Sequence, residues 1–271
     1  MTDVAERQSP SAPSTFSTAK WAVSDILTVT KRNLIHSIRI PEALFFSSLQ
    51  PIMFVLLFRY VFGGAIPVPG VSYVNYLMPG IFVQTLCFGA VSTSIGLAED
   101  LQSGLLERFR ALPMSRSAVL GGRTTADVFR NIFVITLMTA VGLAVGFRPV
   151  ASVAQYALAC GIMLLFSYAL MWGFAWIGLN AANAEVAQLM SFPLLFPLTF
   201  CSSAFVPVNT LPTWLQGFAE NQPVSVVVNA SRSLMVGGPF HSPGSVWKAL
   251  AWSLGILVVL VPLAVRSYRR A

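Results

Sequence analysis

The sequence predicts an all-α integral membrane protein. It places six transmembrane helices behind an N-terminal interfacial amphipathic helix, with a cytoplasmic helix between spans 2 and 3 and an outer re-entrant helical hairpin between spans 5 and 6. Three observations predict this. Hydrophobic residues make up 55% of the 271 positions and charged residues 10%, against roughly 25% charged in soluble domains, and the mean hydropathy is +0.72. Several apolar runs reach the roughly 18–20 residues that cross a bilayer as a helix. Lys and Arg gather in particular connections, as loops that stay on the inner side of a membrane do.

Taken in order, residues 1–19 read as a disordered cytoplasmic tail, because SPSAPSTFSTA is too poor in apolar side chains to order itself. No short apolar core near the start marks a secretory signal. Residues 20–41 form an amphipathic helix: Val23, Ile26, Leu27, Leu34, Ile35 and Ile38 lie on one side, Lys31, Arg32 and Arg39 on the other. A basic helix of this pattern lies in the interface rather than across the bilayer.

Residues 42–271 form the transmembrane domain, with spans near 43–63, 76–98, 129–147, 153–179, 187–206 and 246–265. Turn-like breaks follow the first span, at Gly63 to Pro67, and the third, at Phe147-Arg148-Pro149. Pro193 and Pro197 each remove a hydrogen bond from the fifth span, which should be kinked or broken there. Residues 207–245 are too apolar for a free outer loop, yet Asn221-Gln222-Pro223 interrupts them before they span. Two short helices dipping into the outer half of the membrane fit this pattern, provided protein covers them.

Charge sets the orientation. Arg7, Lys20, Lys31, Arg32 and Arg39 precede the first span, and Arg108, Arg110, Arg116, Arg123 and Arg130 follow the second. Arg266, Arg269 and Arg270 end the chain. The other side holds Arg148, Arg232 and Lys248, with Arg59 near the outer end of the first span. Both termini are therefore expected in the cytoplasm of a bacterial-type plasma membrane. The net charge of +7 fits this orientation and not nucleic-acid binding, because the basic residues do not share one soluble face. Cys87, Cys160 and Cys201 lie in or beside apolar runs without metal-ligand spacing, so they read as small core residues.

The stretch EDLQSGLLERFRALPMSR (99–116) concentrates charge between two runs that have almost none. Leu101, Leu105, Leu106, Phe109 and Leu112 follow helical spacing and Pro113 closes the run. The mixed acidic and basic side chains off that stripe suit a protein partner better than anionic lipid. This helix resembles the coupling region of ATP-binding-cassette export permeases, in particular the type 2 class that includes daunorubicin-resistance exporters. The block FPLTFCSSAFVPVNTLPTWLQGFAENQPVSVVVNASRSLMVGG (196–238) resembles the fifth span and outer hairpin of that class, and the resemblance runs from about Trp21 to Arg270.

The resemblance implies a permease without an engine of its own, paired with a second permease, identical or related, and with two cytoplasmic ATPase subunits. ATP and Mg would be bound by those partners and no cofactor by this chain. No G-x-x-x-x-G-K-[ST] loop occurs in the sequence, nor any Gly-Lys pair. The ATPase-coupling interface would comprise Glu99, Asp100, Gly104, Glu107, Arg108, Phe109, Arg110 and Pro113, with Phe109 as the apolar plug. The implied activity is outward translocation of a hydrophobic or amphipathic drug or lipid.

Intramembrane polar residues are costly, about 2.5–3.5 kcal/mol for a charge at mid-depth, so each calls for a role. Arg59 reads as a snorkelling anchor, with a substrate or gate contact on the pathway as the alternative, and Gln50 and Gln84 as interhelical hydrogen-bond partners, with pathway ligands as the alternative. Glu185, in a short cytoplasmic turn, reads as a solvated carboxylate. No Ser/His/Asp or paired-carboxylate constellation suits an intramembrane enzyme. An ion-coupled secondary transporter or channel is the alternative. It normally carries acidic residues within its spans, and here all ten acidic residues map to loops, tails or span ends.

Overall fold

The computed structural model describes residues 28–31, 35, 41–63, 68, 70–104 and 116–270, with backbone alone at 41–47, 116–119, 243 and 269. The tail at 1–19, nearly all of the amphipathic segment at 20–41 and the charged segment from residue 105 to 115 lie outside the described residues. Helix α1 is Pro41–Leu56 and continues as a π-helical turn, Leu57–Phe62. The others are α2 Tyr73–Gln102, α3 Arg116–Val145, α4 Val153–Asn180, α5 Ala184–Phe200, α6 Thr213–Asn221, α7 Pro223–Met235 and α8 Pro243–Arg270. No strand occurs among the described residues.

Four of these helices, α2, α3, α4 and α8, are long and apolar enough to cross a bilayer. The apolar helices at Ser48–Phe62 and Ala184–Phe200 are shorter. Helix α2 is the centre: 72% of its most apolar window is buried, against 17% for α8. It packs most extensively on α4, then on α5, α3 and α7. The α2–α4 crossing is close because Gly178 faces the backbone of α2, where a Cβ would overlap the Ser94 carbonyl. Small residues at a crossing let two membrane helices approach in this way.

Local chemistry fixes the ends. At the close of α3, Gly146 takes φ +104°; its N–H reaches the Leu143 carbonyl and that of Phe147 the Gly142 carbonyl. This is a Schellman cap with the Phe147 ring fully buried beneath it, at the break expected there. Ser152 and Gln155 form a capping box at the start of α4. Asn183 caps α5 through the Val186 N–H at 2.7 Å, and Glu185 lies in its first turn.

Two expectations are corrected. The third helix starts at Arg116, not near 129, so Arg123, Asp127 and Arg130 are helical residues rather than loop residues. Asp127 lies within the apolar stretch Leu120–Val145. The fifth helix runs unbroken through Pro193 and Pro197 but stops at Phe200 rather than near 206. Its last carbonyls, Leu198 and Cys201, accept from the Gln222 side-chain amide at 2.9 and 3.0 Å, so a neighbour supplies what the helix end lacks.

Hydrogen bonds between distant parts of the chain define two ends of the bundle. At one, the Gln102 amide reaches the Ala182 carbonyl, Asn180 reaches Ser267, and Thr30 reaches the Gly122 carbonyl. This is the junction end. At the other, the Arg148 N–H meets Asn75, the Val150 N–H meets the Met235 carbonyl, and Tyr73 Oη donates to the Phe205 carbonyl. This is the hairpin end, where α6 and α7 turn at Gln222-Pro223.

Candidate functional site

Three polar constellations interrupt the apolar bundle. The first brackets the charged segment at the junction end. Helix α2 ends in a turn in which Gly104, at φ +66°, donates to the Leu101 carbonyl at 3.1 Å. One turn back, Asp100 forms an ion pair with Arg123 of α3, and the same guanidinium donates to the Gly96 carbonyl at 3.0 Å. Gly96 leaves room for it, since a Cβ there would overlap the guanidinium. Asp100 and Arg123 therefore tie together the two helices that enter and leave the 105–115 segment. Of the residues assigned to the coupling interface, Glu99, Asp100 and Gly104 are thus placed at one end of the bundle. Glu107, Arg108, Phe109, Arg110 and Pro113 lie outside the described residues.

The second lies among α1, α2 and α3. Asp127 accepts from Thr93 Oγ1 at 2.6 Å and faces Arg130 at 3.5 Å, and Arg130 also donates to the Gly89 carbonyl at 2.9 Å. Asn131 donates to Ser167 of α4 at 2.8 Å, and Ser167 donates on to the Leu86 carbonyl at 3.3 Å. Beside this network a cavity of about 120 Å³ is lined by Gln50, Phe54, Gln84, Phe88, Arg130 and Asn131, among others. Gln50 and Gln84, singled out as polar groups inside spans, thus share one wall system. Arg59, on the π-helical turn, is not part of it; its guanidinium lies 5.9 Å from the Tyr60 ring centroid.

The third holds the hairpin. Arg232 of α7, grouped by sequence with outer-loop charges, is 2% exposed. Its Nε donates to the Tyr76 carbonyl at 3.0 Å, one Nη to Ser203 carbonyl oxygen and the other to Asn229 Oδ1, each at 2.9 Å. The guanidinium stacks 3.7 Å from the Tyr76 ring centroid. Tyr76 Oη donates to the same Ser203 carbonyl at 2.9 Å, and the Ser203 N–H donates to Ser225 Oγ at 2.9 Å. The turn after α5 is thereby fastened to both α2 and α7. Charge counting along the chain missed Arg232. Its position among Val226, Val227, Val228, Ala230 and Met235, all buried, was the available signal.

These features, an apolar bundle with a charged connection tied at one end and a packed hairpin at the other, accompany a family match across most of the chain. A family model described as ABC-2 type transporter covers residues 24–236. The chain belongs to the ABC-2 type transporter family. Among curated relatives of this ABC-2 permease is the daunorubicin resistance ABC transporter permease protein DrrB1 of Streptomyces coeruleorubidus. The two are 33% identical over 251 residues, 92% of this chain and 87% of the relative. The probable doxorubicin resistance ABC transporter permease protein DrrC of Mycobacterium tuberculosis is 29% identical over 261 residues, 96% of this chain and 93% of the relative. The putative transport permease ycf38 of Porphyra purpurea is 26% identical over 247 residues, 88% and 84% respectively. ABC-2 permeases are transport subunits and not themselves enzymes, and they generally work with ATP-binding subunits.

Proposed function

We propose that this ABC-2 permease is the membrane subunit of an ATP-binding-cassette exporter that moves a hydrophobic or amphipathic compound, a drug or a lipid, outward. The observation that carries the reading is the Asp100–Arg123 tie at the base of the charged segment. A partner pushing on residues 105–115 acts, through that tie, on α2, the most buried of the long helices. The partner in this reading is a cytoplasmic ATPase that binds ATP and Mg. A second permease, identical or related, completes the path, and membrane lipid surrounds the pair.

In this arrangement α1 and α5 cross with the four long helices to give six spans. Both termini and the junction end face the cytoplasm, and α6 and α7 re-enter the outer half of the membrane. The amphipathic segment at 20–41 lies in the inner interface and the tail at 1–19 in the cytoplasm. Arg266 and Arg270 at the end of α8 support that orientation. The ion-coupled alternative is weaker. Asp127, inside the apolar stretch of α3, already has Arg130 and Thr93 as partners, leaving no free carboxylate there to carry an ion.

The test is co-purification with a candidate ABC ATPase subunit co-expressed with this chain, together with ATP-dependent uptake of candidate drugs and lipids into inverted vesicles. Glu107→Ala/Arg110→Ala should lose the ATPase and drop uptake to the level without ATP. Wild-type assembly and uptake in that variant would remove the coupling role of the segment.

A further inference from the structure

Gln84 is 3% exposed, lines the α1–α2–α3 cavity, and its side-chain amide nitrogen makes no hydrogen bond. A buried donor left unpaired costs about 1–3 kcal/mol. Apolar side chains of similar size, such as Leu or Met, would fill the same space on α2 without that cost. The polar neighbours contributed by α3 are, by contrast, engaged. Arg130 is matched by Asp127 and by the Gly89 carbonyl, and the Asn131 amide nitrogen by Ser167. The cavity thus offers one buried neutral donor without a partner, Gln84, beside a charge already balanced, with the hydroxyls of Thr85 and Ser92 also on its wall. Its apolar wall is made by Phe54 and Phe88 with Pro51 and Val134. From that wall a series of rings runs on: Phe88 meets Phe196 at 5.9 Å, and the series continues through Phe200, Phe205 and Phe58 to Phe54, each step between 4.7 and 6.1 Å. It begins and ends on residues lining the cavity. Gln50, exposed, lines it too.

From this we infer that the cavity between α1, α2 and α3 is a binding subsite for an uncharged amphiphile. The ligand's carbonyl or ether oxygen accepts from Gln84 while its apolar body lies against Phe54 and Phe88. The balanced Asp127–Arg130 pair selects against a fully anionic head group, which would find no uncompensated cation. The inference rests on the permease reading for its biological purpose, but the site itself is testable without an ATPase.

The probe is 6-propionyl-2-(dimethylamino)naphthalene, with 2-(dimethylamino)naphthalene as the same ring body lacking the ketone. Binding is measured by equilibrium dialysis against the full chain in lipid nanodiscs, with empty nanodiscs subtracted. The wild type should bind the ketone about tenfold more tightly than the ketone-free ring, the worth of one hydrogen bond away from water. Gln84→Met should abolish that preference, leave binding of the ketone-free ring unchanged, and keep or raise the melting temperature. A lower melting temperature with unchanged preference identifies Gln84 as a packing residue and overturns the proposal. Val134→Phe, which fills the cavity from α3, should weaken both probes, and unchanged binding there overturns it too. ATP-driven uptake of the ketone into inverted vesicles separates the two readings. Gln84-dependent binding without uptake in the wild type sinks the exporter reading and keeps the site. Uptake that persists in Gln84→Met with unaltered binding preference sinks the site and keeps the exporter.

Discussion

At Arg232, three donor groups meet two carbonyls and one amide oxygen, and among the described residues no acidic side chain pairs with it. A guanidinium suits this place because its planar fork reaches several acceptors at once while its face stacks on Tyr76. Lysine carries the charge but not the fork. Arg232→Met takes one donor from each of the Tyr76 carbonyl, the Ser203 carbonyl and Asn229 Oδ1; Ser203 keeps Tyr76 Oη and Asn229 keeps Ser203 Oγ. A hydrogen bond to a charged group is worth about 1.5–3 kcal/mol, and losing this set lowers the melting temperature of a chain of this size by roughly 5 °C or more. Tyr76→Phe removes one donor from an oxygen that keeps another, so its loss should be less than half as large. Arg232→Lys should fall between them. Thermal unfolding in detergent checks the order, and equal stability of Arg232→Met and wild type would show that Arg232 does not fasten the hairpin.

At the scale of elements, helix α4 contains its own control. Gly178 faces the Ser94 backbone, whereas a Cβ on Gly161 would meet nothing within 4 Å. Gly178→Ala should therefore push α2 and α4 apart and destabilise by about 2 kcal/mol. Gly161→Ala should stay within about 0.5 kcal/mol of wild type or gain slightly from helix propensity. Equal effects would mean that the crossing is not limited by that contact. This crossing was not legible in the sequence, because an isolated glycine in an apolar run does not announce what approaches it. The apolar runs themselves were legible: α2, α4 and α8 each extend an expected span, and the break at Phe147 follows from Gly146. The start of α3 was not, because Arg123, Asp127 and Arg130 interrupt its hydropathy. Their charges are matched by α2 and by one another, and such pairing across helices does not appear in a linear charge count. The polar cavity was half legible. Gln50 and Gln84 stood out as polar groups in spans, while Arg130 was counted with the loop charges and Asn131, inside the expected third span, carried no charge to mark it.

For the molecule as a whole, the two-ended bundle makes one geometric commitment. The 30 residues of α2 rise about 45 Å at roughly 1.5 Å each, beyond a hydrocarbon core of about 30 Å, so at least one end of this helix stands outside the apolar layer. Its last turn, carrying Glu99 and Asp100, is the polar one, and Gln102 is exposed. Asn209, also exposed, follows the turn that Tyr73 and Tyr76 hold at the opposite end. A cysteine at Gln102, with Cys87, Cys160 and Cys201 replaced by alanine, should react with a membrane-impermeant maleimide in inverted vesicles and stay silent in intact cells. A cysteine at Asn209 should do the reverse. Labelling of both from one face would contradict the separation of the junction and hairpin ends by the bilayer. Exchanged labelling would keep the bundle but turn the junction outward, beyond the reach of any cytoplasmic ATPase, and the charged segment between α2 and α3 could then no longer be the place where such an ATPase acts.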